Sequence, residues 1–485
     1  MNRLLVIAHV LGGLLMVFAA TFALPLAWSF AVDDGAHAGF VVSGLLCLAG
    51  GALLWAATRR YRRELEPRDG ALLVVLGWLL MSLVSSGPLL LEIPGISVTD
   101  ACFEAIAGLT TTGATVLSGI ERLPQSVNLW RHALQWYGGM GIIVMAVAIL
   151  PMLGVGGMQL FKAEMPGPMK ERKLTPRITQ TAKALWLIYI GLTVGCLLAL
   201  RWAGLDWFES ICHAFSALAL GGFSTRDASV MGLESPTVEA VLSVFMLLAV
   251  LNFSTHFLAL RERSLRVYLR DVEARSTLAL ILGSSVALGA YLYCNGLFPT
   301  LSEAMRHAAF NTISVSTSTG FATQDYAAWP LFAQMWLLFL ACVASSAGST
   351  GGGIKMIRAL VLLKQTRREL NRLVHPRAIA PLTINGNVVE NRVIFTILGF
   401  MLLWGATHIV LTFVMLATGL DFMSAFSVVV ASVNNLGPAL GQFGPSGNYA
   451  PLTDFQTWLL AIAMVAGRLE LLTFFVVLMP AFWRR

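Results

Sequence analysis

Four short stretches of this chain end an apolar segment with the same chemistry, a glycine preceded by small or amide-bearing residues. They are Thr110-Thr111-Thr112-Gly113-Ala114, Leu220-Gly221-Gly222-Phe223-Ser224, Ser318-Thr319-Gly320-Phe321-Ala322 and Asn434-Asn435-Leu436-Gly437-Pro438. Glycine adopts backbone angles that a Cβ forbids. A chain leaving a short helix can therefore turn there and run back extended, exposing successive carbonyls. Rings of backbone carbonyls replace the water around a potassium ion. Four such loops meeting at one axis would form an ion pathway.

The elements that must position these loops are membrane helices. The chain has 485 residues, 57% hydrophobic and 12% charged, with mean hydropathy +0.74. Soluble domains carry about 25% charged residues, so an ordinary soluble enzyme is excluded. About ten apolar runs reach the roughly 20 residues needed to span a bilayer. They lie near 4–30, 37–58, 70–91, 127–153, 183–203, 236–260, 276–298, 331–363, 390–419 and 454–482. The start, Met1-Asn2-Arg3 before an apolar run, resembles a signal peptide, but no small-residue cleavage site follows, so it reads as a retained helix.

Basic residues collect after every second span, as in Arg59 and Arg60, Lys170 and Arg172, Arg261 and Arg263, and Arg367 and Arg368. Positive charge near span ends marks the cytoplasmic side. Both termini are therefore expected inside, with the four glycine loops opposite. The net charge of +7 is a topology signal spread over separate loops, not a nucleic-acid patch. The six cysteines lie scattered in apolar segments without CxxC spacing, which favours buried free thiols over metal or disulfide roles. No cofactor motif is present, and no Walker or Rossmann fingerprint follows a strand pattern. His132, His213, His256, His307 and His408, five of the eight histidines, lack metal-ligand spacing, so structural roles are expected.

After the first two spans the chain repeats a unit of span, short segment and span. The predicted organisation is an all-α integral membrane fold. It has two extra N-terminal helices at 1–67, then pore units at 68–174, 175–269, 270–384 and 385–485. The short segments, near 99–109, 206–219, 301–316 and 421–433, are too short to cross alone. Read as half-membrane helices, they place C-terminal dipole charge at the axis, which favours a cation. Glu104, Glu209, Glu303 and Asp421 in or near them read as N-terminal dipole partners or as an acidic vestibule. Asp325 and Arg226 follow glycine loops and are candidates to pair.

The run 331–363 is too long for one crossing. It is interrupted by Ser345-Ser346-Ala347-Gly348-Ser349-Thr350-Gly351-Gly352-Gly353. Each glycine costs roughly 1 kcal/mol against alanine in a helix interior, so an unwound loop is expected, in the third unit alone. Arg468 stands inside the last apolar run, where a charge needs water, a carboxylate or carbonyls. Glu470 is one candidate partner. Lys355 and Arg358 read as inner-face anchors.

Several motifs together resemble the TrkH-type subunits of the Trk/Ktr/HKT potassium-uptake superfamily over essentially the whole chain. They are Gly108-Leu-Thr-Thr-Thr-Gly-Ala114, Gln135-Trp-Tyr-Gly-Gly-Met-Gly-Ile-Ile143, the run 150–159, Ala163-Glu-Met-Pro-Gly-Pro168, Gly348-Ser-Thr-Gly-Gly-Gly-Ile-Lys355 and Gly467-Arg-Leu-Glu470. The resemblance implies four covalently linked membrane-pore-membrane units around a single central pore. It implies a potassium filter of backbone carbonyls from Thr111, Thr112 and Gly113, from Leu220, Gly221 and Gly222, from Ser318, Thr319 and Gly320, and from Asn435, Leu436 and Gly437. It places an intramembrane gate at Gly348, Ser349, Thr350, Gly351, Gly352, Gly353 and Arg468. It also implies a homodimer in the bacterial inner membrane and a separate TrkA-type nucleotide-binding regulatory ring. The Thr-Val-Gly-Tyr-Gly run of potassium channels is absent from all four loops. The alternative activity is potassium symport coupled to protons or sodium. An intramembrane enzyme would need convergent Asp, His or Ser pairs, which the spans lack.

Overall fold

The computed structural model describes residues 2–61, 65–144, 178–377 and 380–484. Four short helices organise it, and each is bounded by local chemistry. They are Val98–Leu109, Trp207–Ala219, Leu301–Ser316 and Phe422–Val433. The side chains of Ser97, Asp206, Thr300 and Asp421 cap their first turns, accepting from Asp100, Glu209, Glu303 and Ser424 N–H groups. Such caps satisfy donors that the helix leaves unpaired. At about 1.5 Å per residue, helices of 12 to 16 residues fall short of the roughly 30 Å hydrocarbon core.

Their C-termini are equally alike. Thr111, Leu220, Ser318 and Asn435 all adopt the left-handed conformation, with φ of 54°, 54°, 59° and 53°. In each, the next N–H reaches back to the helix, as in Thr112 to Ala107 O (2.9 Å), Gly221 to Ser216 O (2.9 Å), Thr319 to Ser314 O (2.8 Å) and Leu436 to Ala431 O (2.8 Å). This is the Schellman termination, which usually recruits glycine. Here non-glycine residues hold it at a cost of about 1–3 kcal/mol each. Thr111, being β-branched, is the most unusual of the four.

Long helices surround this set. Six are long and apolar enough to cross a membrane among the described residues: Arg3–Val32, His37–Thr58, Arg68–Glu92, Ala182–Trp202, Val272–Cys294 and Asn391–Ala417. The expected span 127–153 is described only as Gln125–Val144. The first two pack closely because glycine faces glycine. A Cβ on Gly12 would stand 2.8 Å from Gly51 O, and one on Gly51 2.9 Å from Gly12 O. A two-stranded antiparallel ribbon pairs Thr383 with Val388 and Ile384 with Asn387 across an Asn385-Gly386 turn.

Two expected straight spans are broken. Pro236–Ala249 and Phe253–Glu262 meet at 93°, and Asp454–Arg468 and Leu471–Leu478 at 113°. Asn252 caps the helix after the first break, and Glu470 holds φ 59° at the second. The third unit, with Leu331–Val343 and Met356–Val374 flanking a non-helical 344–355, is therefore not alone in being interrupted. Each bent pair still averages apolar enough for one span, which hides the breaks from a hydropathy window.

Candidate ion-conduction site

The four glycine loops close a ring. A methyl built on Gly113 would overlap the carbonyl oxygen of Gly221, and one on Gly222 that of Thr319. One on Gly320 would stand 2.7 Å from Pro438 Cδ, and one on Gly437 2.7 Å from Gly113 O. Each loop thus abuts the next, and the fourth returns to the first. Gly113, Gly222, Gly320 and Gly437 all line one open cavity of about 60 Å³. Each short helix ends at this ring, so its C-terminal dipole, equivalent to roughly half a negative charge, points there.

The glycines differ in what demands them. Gly113, Gly222 and Gly320 need left-handed φ of 78°, 79° and 93°, whereas Gly437 does not. Pro438 follows it, and the residue before a proline is held extended. At Gly437 the requirement is the close approach of the first loop.

One equivalent position in three of the short helices braces the returning chain. Glu104 accepts from Thr115 Oγ1 (3.0 Å) and Val116 N–H (3.2 Å). His213 Nε2 lies 3.1 Å from Ser224 Oγ. Asn311 donates to Thr323 Oγ1 (3.1 Å) and accepts from its N–H (3.2 Å). The fourth helix uses Ser427, which accepts from Leu440 N–H (3.0 Å). Glu104 is itself buried against Arg131 at 2.7 Å, and Arg131 lies 4.2 Å over the Phe223 ring. It does not face a vestibule. Glu209 and Arg226 do form a surface pair at 2.6 Å, which holds the guanidinium above its usual pKa range. Asp325 caps Ala327 N–H and does not meet Arg226.

Of the twelve carbonyls predicted for the filter, two accept a hydrogen bond from the described residues. Gly221 O takes one from Gln135 Nε2 (2.7 Å), and Gly437 O one from Tyr449 Oη (2.9 Å). Thr112 and Thr319, at matching places, instead share hydroxyl bonds of 2.7 Å with Thr110 and Thr317.

The glycine-rich loop lies against the opposite face of the ring from the cavity. Gly352 N–H donates to Ser318 Oγ (2.9 Å), and Thr350 Oγ1 to Leu218 O (3.1 Å). A Cβ on Gly351 would stand 3.1 Å from Thr317 O, and one on Gly352 would overlap Asn434 O. Ser345 Oγ donates to Gly352 O and Lys355 Nζ to Gly351 O. From outside, Phe253 N–H bonds Gly348 O (3.1 Å), and Ala347 N–H donates to buried Glu273 (2.7 Å).

Arg468 is 3% exposed and spans two elements. Its Nη1 donates to Thr350 O (2.6 Å) and its Nη2 to Gly138 O (3.3 Å). Glu470 is not its partner but pairs with Arg358 at 2.8 Å. Arg358 is buried, with its guanidinium 4.4 Å over the Phe400 ring, and is no surface anchor. Of the cysteines, Cys294 is exposed and the other five are buried. No cluster of three metal-ligating side chains occurs among the described residues. The motif runs 150–159 and 163–168 lie outside the described residues.

The family model for TrkH, described as a cation transport protein, matches residues 36–484. The chain belongs to the TrkH family. TrkH-named "Trk system potassium uptake protein" chains of Salmonella typhimurium and Escherichia coli are 44% and 43% identical over 479 residues, 99% of each chain. The Escherichia coli relative named TrkG is 35% identical, with 99% of this chain and 98% of that one covered. The crystal structure of the potassium transporter TrkH from Vibrio parahaemolyticus superposes with TM-score 0.91 at 41% identity, covering 99% of this chain and 100% of that one. This TrkH-family chain is thus an all-α, multi-span membrane transporter, and the family is one of transport proteins rather than enzymes.

Sequence reasoning placed Gln135 in a motif without a role and passed over Arg131, Tyr449 and Glu273. Arg131, Gln135 and Glu273 are polar residues in membrane helices, and the cost of burying them was the available signal.

Proposed function

We propose that this chain conducts potassium ions, channel-like, through the ring formed by its four glycine loops. The observation that carries the reading is the cyclic abutment of Gly113, Gly222, Gly320 and Gly437 around one cavity. Potassium itself is suggested by the names of the relatives. Carbonyls of Thr111, Thr112, Gly113, Leu220, Gly221, Gly222, Ser318, Thr319, Gly320, Asn435, Leu436 and Gly437 would replace the ion's hydration shell.

Gly348, Ser349, Thr350, Gly351, Gly352 and Gly353 form the gate in this reading, with Arg468 tethering it through Thr350 O. The loop stands where an ion leaving the ring must pass, and a guanidinium there repels cations. The four pore units run 68–174, 175–269, 270–384 and 385–485. Both termini face the cytoplasm of a bacterial inner membrane, where the chain works as a homodimer with a nucleotide-binding TrkA-type ring.

The test is rubidium uptake into proteoliposomes, with and without a hundredfold excess of sodium outside. Uptake that resists sodium and persists without a proton or sodium gradient is expected. Strict dependence on either gradient would establish coupled symport instead.

A further inference from the structure

Gly221 is the one residue of its ring position without a side chain. Its counterparts before the loop glycine are Thr112, Thr319 and Leu436. Backbone conformation does not require glycine there, since Gly221 has no left-handed φ. Space does. A Cβ built on Gly221 would fall onto the amide of Gln135, 2.6 Å from Oε1 and 2.8 Å from Nε2. That amide comes from the helix Gln125–Val144, 86 residues away in the chain. It is fully buried, and both its polar atoms are engaged. Nε2 donates to Gly221 O (2.7 Å), and Oε1 accepts from Ser216 Oγ (2.6 Å) and Phe223 N–H (3.3 Å).

We propose that Gln135 is a positioning residue for ion selectivity, its amide standing in for the side chain that the second loop lacks. Two adjacent glycines, Gly221 and Gly222, leave a peptide unit free to rotate its carbonyl away from the axis. In the first and third loops a threonine occupies that space and is locked by a hydroxyl bond to Thr110 or Thr317. In the second loop Gln135 fills the volume and holds the carbonyl from behind. It also donates a hydrogen bond to a ligand oxygen, so this carbonyl is a weaker donor of charge to the ion than Thr112 O or Thr319 O. The ring is then unequal by construction, and its preference for potassium over sodium depends on Gln135.

This inference rests on the loops being the filter. The test is rubidium uptake with graded sodium competition, in protein whose folding is checked by size-exclusion profile. Gln135→Leu keeps most of the volume and removes the bonds. It should retain uptake but lose at least about tenfold in rubidium-over-sodium preference. Gly221→Thr should abolish uptake by collision with Gln135. The pair Gly221→Thr with Gln135→Ala should restore uptake and much of the preference, because the threonine then supplies the missing side chain. Wild-type preference in Gln135→Leu overturns the inference, as does a double variant no better than Gly221→Thr. If the pair fails to fold, Gln135→Leu decides alone. A separate control, Gly113→Ala, tests the filter itself. Unchanged uptake in that folded variant would refute the filter and leave Gln135 merely structural.

Discussion

Two glycine-dense regions face each other in this molecule and are held in opposite ways. The ring loops are tied first to the helices that deliver them, with Gln135 and Tyr449 adding one carbonyl contact each from other segments. Each ends in the same left-handed turn, bonds back to its own last turn, and is braced by Glu104, His213, Asn311 or Ser427 from that same helix. The 344–355 loop takes most of its anchors from elsewhere: Asn252's neighbour Phe253, Glu273, Leu218, Ser318 and Arg468. Local bracing makes a site whose shape survives motion of its surroundings. Distributed bracing makes a segment whose position reports on many helices at once. That contrast supports the proposed reading of a fixed filter beside a movable barrier.

The largest expected effect comes from breaking the ring. Gly113→Ala adds a methyl onto Gly221 O and demands left-handed alanine. Rubidium uptake should fall at least about 100-fold, the scale on which small misplacements abolish positioned chemistry. Next is the brace. Glu104→Ala leaves Arg131 buried and unpaired, which costs about 3–5 kcal/mol. The measurement is loss of the folded peak on heating in detergent, with Glu104→Gln intermediate.

On the other side of the comparison, Arg468→Ala frees Thr350 O and removes a cation from the path. Uptake should rise about tenfold, equivalent to ~1.4 kcal/mol of barrier. Reduced uptake in folded protein would show that Arg468 supports the loop rather than closing it. Glu273→Gln keeps an acceptor for Ala347 N–H but drops the charge, and a rise of about threefold in uptake is expected. The smallest effect belongs to the exposed pair. Arg226→Ala should change thermal stability by less than about 1 kcal/mol.

The sequence made the ring readable because its demands are local. A single glycine after a helix is an ordinary C-cap, and it is the fourfold repetition at equivalent places that marks the ring. It also showed the 345–353 interruption, where small residues displace apolar ones. The breaks at Asn252 and Glu470 escaped because the few polar residues around each leave the averaged window apolar. Glu104 read as a helix-dipole or vestibule carboxylate because its partner, Arg131, is 27 residues away in another helix. The equivalence of Glu104, His213 and Asn311 was invisible for a related reason. Their side chains differ chemically, and only the shared target, the returning loop, makes them alike. Arg468 stood out by its cost in an apolar span and is met there by carbonyls, but Glu470, two residues on, was a poor guide to its partner.

The closing contact of the ring has a consequence for synthesis. Asn435 Nδ2 bonds Thr112 Oγ1 across 323 residues of chain, and Tyr449 N–H bonds Thr115 O at the same seam. A nascent chain that has inserted three loops therefore presents an open horseshoe, with no enclosed passage. The passage exists only after the last segment leaves the ribosome. On the proposed reading, conduction is therefore acquired in one step, when the fourth loop meets the first.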